Sequence, residues 1–185
     1  DEDQEVDQYP SLRRQQRAAR AINEGRFDKS IVPVVDEEGN VVLAKDEYPR
    51  PQTTAADLSA LEPSFIKIAD MQAPGGVLTF RQLINQRYPD LEIKHFHHAG
   101  SSSGVVDGAA ALLMASARYA REHGLKPRAR VVAAANMGDD PTLMLNGPVP
   151  AARKVLAKAG LSVADIDLWE VNEAFAVVVE KFIRD

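Results

Sequence analysis

Asn172 and Glu173 form a polar pair where the sequence turns from a strand pattern into a helix pattern. Ile166, Leu168, Trp169 and Val171 stand among the acids Asp165, Asp167 and Glu170, which predicts a short strand over 165–171. Ala174 to Ile183 then reads as a buried helix. Asn172 is therefore expected at a strand's carboxyl end, facing the crevice in which open α/β sheets bind ligands. Its amide offers two donors and an acceptor at fixed geometry, enough to hold a water or polarise a carbonyl. The plainer alternative is that Asn172 caps the final helix while Glu173 complements its dipole. The two roles are compatible.

Ser101 to Gly108 is a second candidate. Serines and glycines just before a helix leave backbone N–H groups free for a polar ligand, and Gly104 removes a side chain that would block close approach. Such a turn suits a phosphate or an amide-bearing arm; alone, it also reads as a serine N-cap with a glycine turn. His95, His97 and His98 raise the possibility of a metal. No Asp, Glu or Cys accompanies them at ligand spacing, so a structural or water-bonded role is the better reading.

Asn172-Glu173-Ala174-Phe175-Ala176 resembles the NEAFA motif of thiolases. Two further segments agree with it in order: Ala99 to Ala111, reading AGSSSGVVDGAAA, and Gly147-Pro148-Val149-Pro150-Ala151, which leads into a helix and Ala159-Gly160-Leu161. The resemblance spans most of the chain. It implies that Asn172 holds a water which, with a His absent from this sequence, forms an oxyanion hole for a thioester carbonyl. Ala174 and Phe175 would line the acyl pocket. Ser103 and Gly104 would lie along the pantetheine arm of coenzyme A. The stretch Asp46 to Thr54, with Leu58, Leu61, Ser64 and Phe65, is similar to the loop that covers the adenine end of coenzyme A. Arg50, otherwise an exposed loop charge, could there stack on adenine or pair with phosphate, beside an apolar wall of Leu58, Leu61 and Phe65. Asp57 and Ser101 depart from the family's usual residues, and no ligand role is carried onto Asp57.

The resemblance also implies an α/β class: a thiolase-like layered fold of mixed sheets covered by helices, incomplete here, with an irregular α+β loop domain. Residues 1–105 would be the coenzyme A-covering loop domain, 106–128 the end of the N-terminal core half, and 129–185 the start of the C-terminal half. The implied activity is acyl transfer between acyl-CoA and coenzyme A, by 3-ketoacyl-CoA thiolysis or its reverse, Claisen condensation. A Cys thiolate takes the acyl group in a ping-pong scheme. This sequence has no Cys. The nucleophile is accordingly expected before Asp1, the His and second Cys beyond Asp185, and the segment alone is expected to be inactive.

Coenzyme A and acyl-CoA would be substrates, with no permanently bound cofactor and no metal. The subunit would be a homodimer or homotetramer, or part of a multifunctional fatty-acid oxidation complex, and cytoplasmic if bacterial. Histidines in the 95–98 stretch resemble the degradative, trifunctional-complex-type thiolases. The alternative is a non-catalytic coenzyme A-binding or subunit-interface protein that retains thiolase sequence; the missing Cys and His in the full-length protein would separate the two.

The elements needed to position these residues can be read from pattern. Residues 8–24 predict a helix closed by Gly25. Ile31 to Val35, an edge strand because of Pro33, and Val41 to Leu43 flank a Glu38-Gly39-Asn40 turn. The region 44–57 reads as loop, Leu58 to Ile68 as broken helical spacing, and 69–94 as irregular. Ile93 to His98 predicts a strand entering Ala99-Gly100. Asp107 to Ala115 is a helix too poor in polar residues to lie on a surface. Arg130 to Ala135 reads as a buried strand and Pro150 to Ala159 as an amphipathic helix with Gly160 as its C-cap. Strand, helix, strand, helix implies a parallel or mixed sheet, and without its neighbours such a layer would expose the faces of 109–115 and 174–183.

With 185 residues, 45% of them hydrophobic, the chain can bury a core. A net charge of −5 argues against a nucleic-acid footprint. The local exception, Arg13, Arg14, Arg17, Arg20 and Arg26, follows an acidic run and reads as one solvated helix whose charges complement its dipole. No apolar run reaches the roughly 18 residues needed to span a bilayer.

Overall fold

Helix α1 (Pro10–Asn23) is the longest element of the computed structural model, which describes residues 10–185. Its C-terminus is set by Gly25, whose φ of +67° is left-handed. The Arg26 N–H reaches back to the Ala21 carbonyl and the Gly25 N–H to Ile22, satisfying carbonyls that the helix itself leaves open. Ser11 and Leu12 are its buried positions.

Strands β1 (Val34–Val35) and β2 (Val41–Leu43) pair antiparallel, Val34 opposite Leu43 and Val35 opposite Val41, with a register shift between them. Pro33 falls just before β1 and not inside it, so the missing N–H costs the ladder nothing. The turn is built by Asp36, whose carboxylate accepts from the Asn40 backbone at 2.7 Å and side-chain amide at 3.0 Å, while Gly39 supplies φ +87°. Those hydrogen bonds, the Asn40 side chain first, hold the Asp36 carboxyl below its ordinary value.

Three short helices follow. Helix α2 (Ala55–Ser59) opens on a reciprocal capping box: Thr54 Oγ1 accepts from Asp57 N–H at 3.1 Å and the Asp57 carboxylate accepts from Thr54 N–H at 2.9 Å. Helix α3 (Ile66–Ala69) and helix α4 (Phe80–Arg87) lie in stretches expected to be broken or irregular. The signal for α4 was present in Thr79-Phe80-Arg81-Gln82, a second capping box in which Gln82 N–H donates to Thr79 Oγ1 at 3.2 Å and Thr79 N–H to Gln82 Oε1 at 2.8 Å. Arg81 grips the Asp70 carboxylate with two nitrogens, at 2.7 and 3.2 Å, which lowers the Asp70 pKa.

Helix α5 (Ala117–Glu122) is capped by Ser116, and Gly124 follows it with φ +62°. Helix α6 (Pro148–Ala159) begins slightly earlier than expected and ends at Gly160, which is left-handed at φ +69°. Helix α7 is Ala176–Arg184.

Four expected elements are absent. Residues 93–98, 130–135 and 165–171 carry no β-ladder, and 107–115 is not helical. A strand is stable only as half of a pair, and among the described residues no second strand takes the N–H and C=O groups of these segments. Instead Lys154 and Lys158 of α6 donate to the carbonyls of Asn136 at 2.9 Å and Ala134 at 3.1 Å, and only the short Val163–Asp165 turn forms near the last segment. A short apolar helix needs packing around it to offset its nucleation cost. Leu112 and Leu113 are 85% and 86% exposed, so 107–115 has no such cover. On α7 the expected exposure holds for Val177 and Ile183, whereas Ala176 and Val178 are buried.

The chain divides into two compact units, residues up to Gly104 with Glu173–Val177, and Val105–Asn172 with Val178–Asp185. The first has Leu12, Ala55, Leu58, Ala69 and Ala176 as its buried apolar residues; the second has Ala120, Val149 and Val178, with Trp169 edge-on to Phe182 at 5.3 Å.

Candidate functional site

In the first unit the serine-rich loop is organised by its own side chains. His98 caps a 3₁₀ turn, Ala99–Ser101, its Nδ1 accepting from Gly100 N–H at 3.1 Å. Ser101 Oγ accepts from His98 N–H at 3.1 Å and Ser102 Oγ donates to the His98 carbonyl at 2.8 Å. Ser101 thus has a defined local role in the turn, and His98 is committed to the fold. Among the described residues no group of three or more His, Cys, Asp or Glu could hold a metal.

This loop then pairs with the Glu173–Phe175 segment. Ser102 and Phe175 form an antiparallel bridge, and Ser103 N–H donates to the Ala174 carbonyl at 2.9 Å. Two motifs about seventy positions apart are therefore in register contact. Arg14 braces the junction: its Nη2 donates to the carbonyls of Gly100 at 3.1 Å and Ser102 at 3.3 Å, and its Nη1 lies 3.6 Å from the Glu173 carboxylate. The expectation that the arginines of α1 form a solvated face fails at Arg14, whose side chain is only 22% exposed. Its legible signal was spacing: Arg14 and Gln15 stand three and four residues after the buried Ser11, on one helix face. Gln15 uses that face too, its Oε1 accepting from Arg50 N–H at 2.8 Å. Arg20 and Arg26, by contrast, pair with Glu24 on the surface.

The apolar wall is partly assembled. Leu58 is buried, and a Cβ placed on Gly100 would meet Leu58 Cδ2 at 2.4 Å and Leu61 Cδ1 at 3.1 Å, so Gly100 allows the wall to press onto the loop. A Cβ on Gly104 would meet the Tyr48 ring at 2.4 Å. The close approach that Gly104 permits in this structure is by Tyr48. Ser64 N–H donates to the His97 carbonyl at 2.8 Å. Phe175 stacks obliquely on Phe65, centroids 6.0 Å apart, and on His97 at 5.1 Å.

Arg50 is exposed at the start of a turn closed by Thr53, and among the described residues its guanidinium makes no ion pair. Asp57, given no ligand role, is spent on the α2 cap, which lowers its pKa chiefly through the Thr54 side chain. Asn172 belongs to the second unit, is exposed, and makes no side-chain hydrogen bond among the described residues. Because α7 starts at Ala176, Asn172 stands four residues ahead of it and cannot be its N-cap. The capping alternative is overturned: residues 173–175 are used for pairing with the serine loop, which delays the helix.

A serine-rich loop and a strand-like segment paired in this way, beside an aromatic and aliphatic wall, form part of a mixed α/β architecture. Comparison with known proteins identifies it. A model of the thiolase N-terminal domain matches residues 3–75 and one of the thiolase C-terminal domain matches 125–185, most of the chain between them. The chain belongs to the thiolase family. It is 42% identical over 178 residues to the 3-oxoadipyl-CoA/3-oxo-5,6-dehydrosuberyl-CoA thiolase of Escherichia coli K12, covering 95% of this chain and 38% of that protein. It is 42% identical over 176 residues to an acetyl-CoA acetyltransferase of Syntrophomonas wolfei, 94% of this chain and 38% of the relative. A 3-ketoacyl-CoA thiolase of Cronobacter sakazakii is 40% identical over 178 residues, 95% of this chain and 40% of the relative. The crystal structure of the Bacillus anthracis acetyl-CoA acetyltransferase superposes with a TM-score of 0.69 at 36% identity, over 94% of this chain and 38% of the other. The fold is thus a partial thiolase fold, mixed α/β, and the chain spans about two fifths of the length of these relatives.

Proposed function

We propose that this chain is a segment of a thiolase subunit, including its coenzyme A-covering loop, and that the whole subunit transfers acyl groups between acyl-CoA and coenzyme A. The observation that carries the reading is the Ser102–Phe175 bridge with its Ser103 to Ala174 hydrogen bond, which joins the two most specific motifs of the family in one place. Asn172 would supply the water of an oxyanion hole, and Ala174 and Phe175 the acyl wall. Ser103 and Gly104 would follow the pantetheine arm. Arg50 would meet the adenine or phosphate end, with Leu58, Leu61 and Ser64 between.

Phe65 needs moving within that scheme. The adenine and thioester ends of coenzyme A lie at opposite ends of a long arm, and Phe65 touches Phe175. We therefore assign Phe65 to the acyl and pantetheine side. Residues 1–105 are proposed as the loop domain, 106–128 and 129–185 as parts of the two core halves. A homo-oligomer acting in fatty-acid β-oxidation in a bacterial cytoplasm completes the proposal.

The test is thiolysis of acetoacetyl-CoA by the full-length protein. Turnover with formation of acetyl-CoA is expected there and none from the 185-residue segment, which has no Cys. A full-length protein that binds coenzyme A without turning over would point to the non-catalytic alternative.

A further inference from the structure

We infer that Arg14 is a positioning residue for the reaction, holding the serine loop and the Glu173–Phe175 segment in register through the Gly100 and Ser102 carbonyls and the Glu173 carboxylate. The inference rests on the thiolase reading for its catalytic consequence, but the contact network stands apart from it.

The 3₁₀ turn leaves the carbonyls of Gly100 and Ser102 directed at α1, where Arg14 Nη2 is 3.1 and 3.3 Å away. Nη1 of the same planar group faces Glu173 Oε1 at 3.6 Å. One guanidinium therefore touches both sides of the junction whose central bond is Ser103 N–H to the Ala174 carbonyl. Lysine has a single compact ammonium and cannot present that fork. The ion pair is long and partly solvated, with side chains 22% and 28% exposed, so it adds little stability of its own. What it fixes is register. Glu173 is bonded in sequence to Asn172, and a catalytic group displaced by about 1 Å can lose about a hundredfold in rate. Glu173 is a partly buried carboxylate whose ion pair with Arg14 ties it to α1.

The experiment uses the full-length protein with Arg14→Ala and Arg14→Lys. Arg14→Ala is expected to lower kcat by about tenfold to a hundredfold while the KM for coenzyme A changes little. Added guanidinium ion should restore part of kcat to Arg14→Ala, and Arg14→Lys should fall between. Hydrogen exchange at the Ser103 amide should be slow in the parent and faster in both variants, a readout that does not require turnover. A folded Arg14→Ala with parental kcat overturns the inference, as does a loss of kcat with Ser103 protection unchanged and no guanidinium rescue. If Arg14→Ala does not fold, Arg14→Lys carries the same comparisons. A parent without thiolase activity defeats the functional reading instead; Ser103 exchange then decides the clamp alone, faster exchange supporting it and parental exchange overturning it.

Discussion

Asn172→Ala is expected to remove most of the activity of the proposed full-length enzyme while leaving its stability unchanged, and both halves of that statement follow from where the residue sits. A lost N-cap costs about 1 kcal/mol. Asn172 is not a cap, because α7 begins four residues later at Ala176, and it is an exposed side chain with no hydrogen bond among the described residues. Truncating it should shift stability by no more than about 0.5 kcal/mol. If its amide orients the water that receives the thioester oxygen's developing charge, loss of that donor should lower kcat by about 10²–10³, or about 2.7–4 kcal/mol of transition-state stabilisation. Asn172→Asp should be at least as inactive, since it sets negative charge beside developing negative charge. The assay pairs kcat for acetoacetyl-CoA thiolysis with the urea midpoint of each variant. A folded Asn172→Ala enzyme with kcat within about threefold of the parent would refute the oxyanion role. A midpoint loss worth about 1 kcal/mol with full activity would restore the capping role that the structure removes.

Arg50→Ala should raise the KM for coenzyme A with little change in kcat, because a contact remote from the thioester contributes equally to ground and transition states; an unchanged KM removes Arg50 from the site. Gly100→Ala should destabilise the protein by about 1–3 kcal/mol, because the new Cβ would stand 2.4 Å from Cδ2 of the buried Leu58, and an unshifted urea midpoint would show that the leucine wall yields freely. Asp57 carries a pH prediction whose sign follows from its lowered pKa: the stability it adds to the α2 cap is present above the unfolded value near 3.8 and is lost as pH falls through the folded value below it. The difference in melting temperature between the parent and Asp57→Ala should thus stay constant from neutrality to about pH 5 and close only in stronger acid; closure near neutrality would contradict the assignment.

The elements legible in the sequence are those whose cause is local. Gly25 and Gly160 mark helix ends because glycine takes the left-handed conformation at low cost, and the Asp36-to-Asn40 turn is specified within five residues. The Thr79 to Gln82 box is equally local and was readable, but the polar run behind it masked the helix it opens. The strands expected at 130–135 and 165–171 and the helix expected at 107–115 were read from apolar patterns that describe burial, and burial is supplied by neighbours. Where no neighbour lies among the described residues, the pattern persists as exposed Val131, Val132, Leu168 and Leu112 without the element. Motif spacing gave the Asn172 to Phe175 segment and the serine loop as site candidates, but not their pairing, and Arg14 was hidden in what looked like an ordinary basic helix face.

That contrast bears on how a thiolase site is assembled. The contacts that organise the first unit are capping boxes, a histidine-capped 3₁₀ turn, one two-residue bridge and an arginine fork. None of them needs a sheet. The caps close within a few residues, the bridge needs only one backbone pairing between distant segments, and the fork acts through one long side chain, so the serine loop and Glu173–Phe175 can hold their register without the layers that a complete core would add. The segments that need a ladder or an enclosing layer, at 107–115 and 130–135, are the ones left uncovered. In the proposed enzyme the coenzyme A-covering loop would therefore keep its shape on its own contacts, while the core that presents the nucleophile depends on cooperative packing. On that division, substitutions at Arg14 or Gly100 should perturb the binding loop locally, and substitutions in 107–115 should act through the stability of the whole subunit.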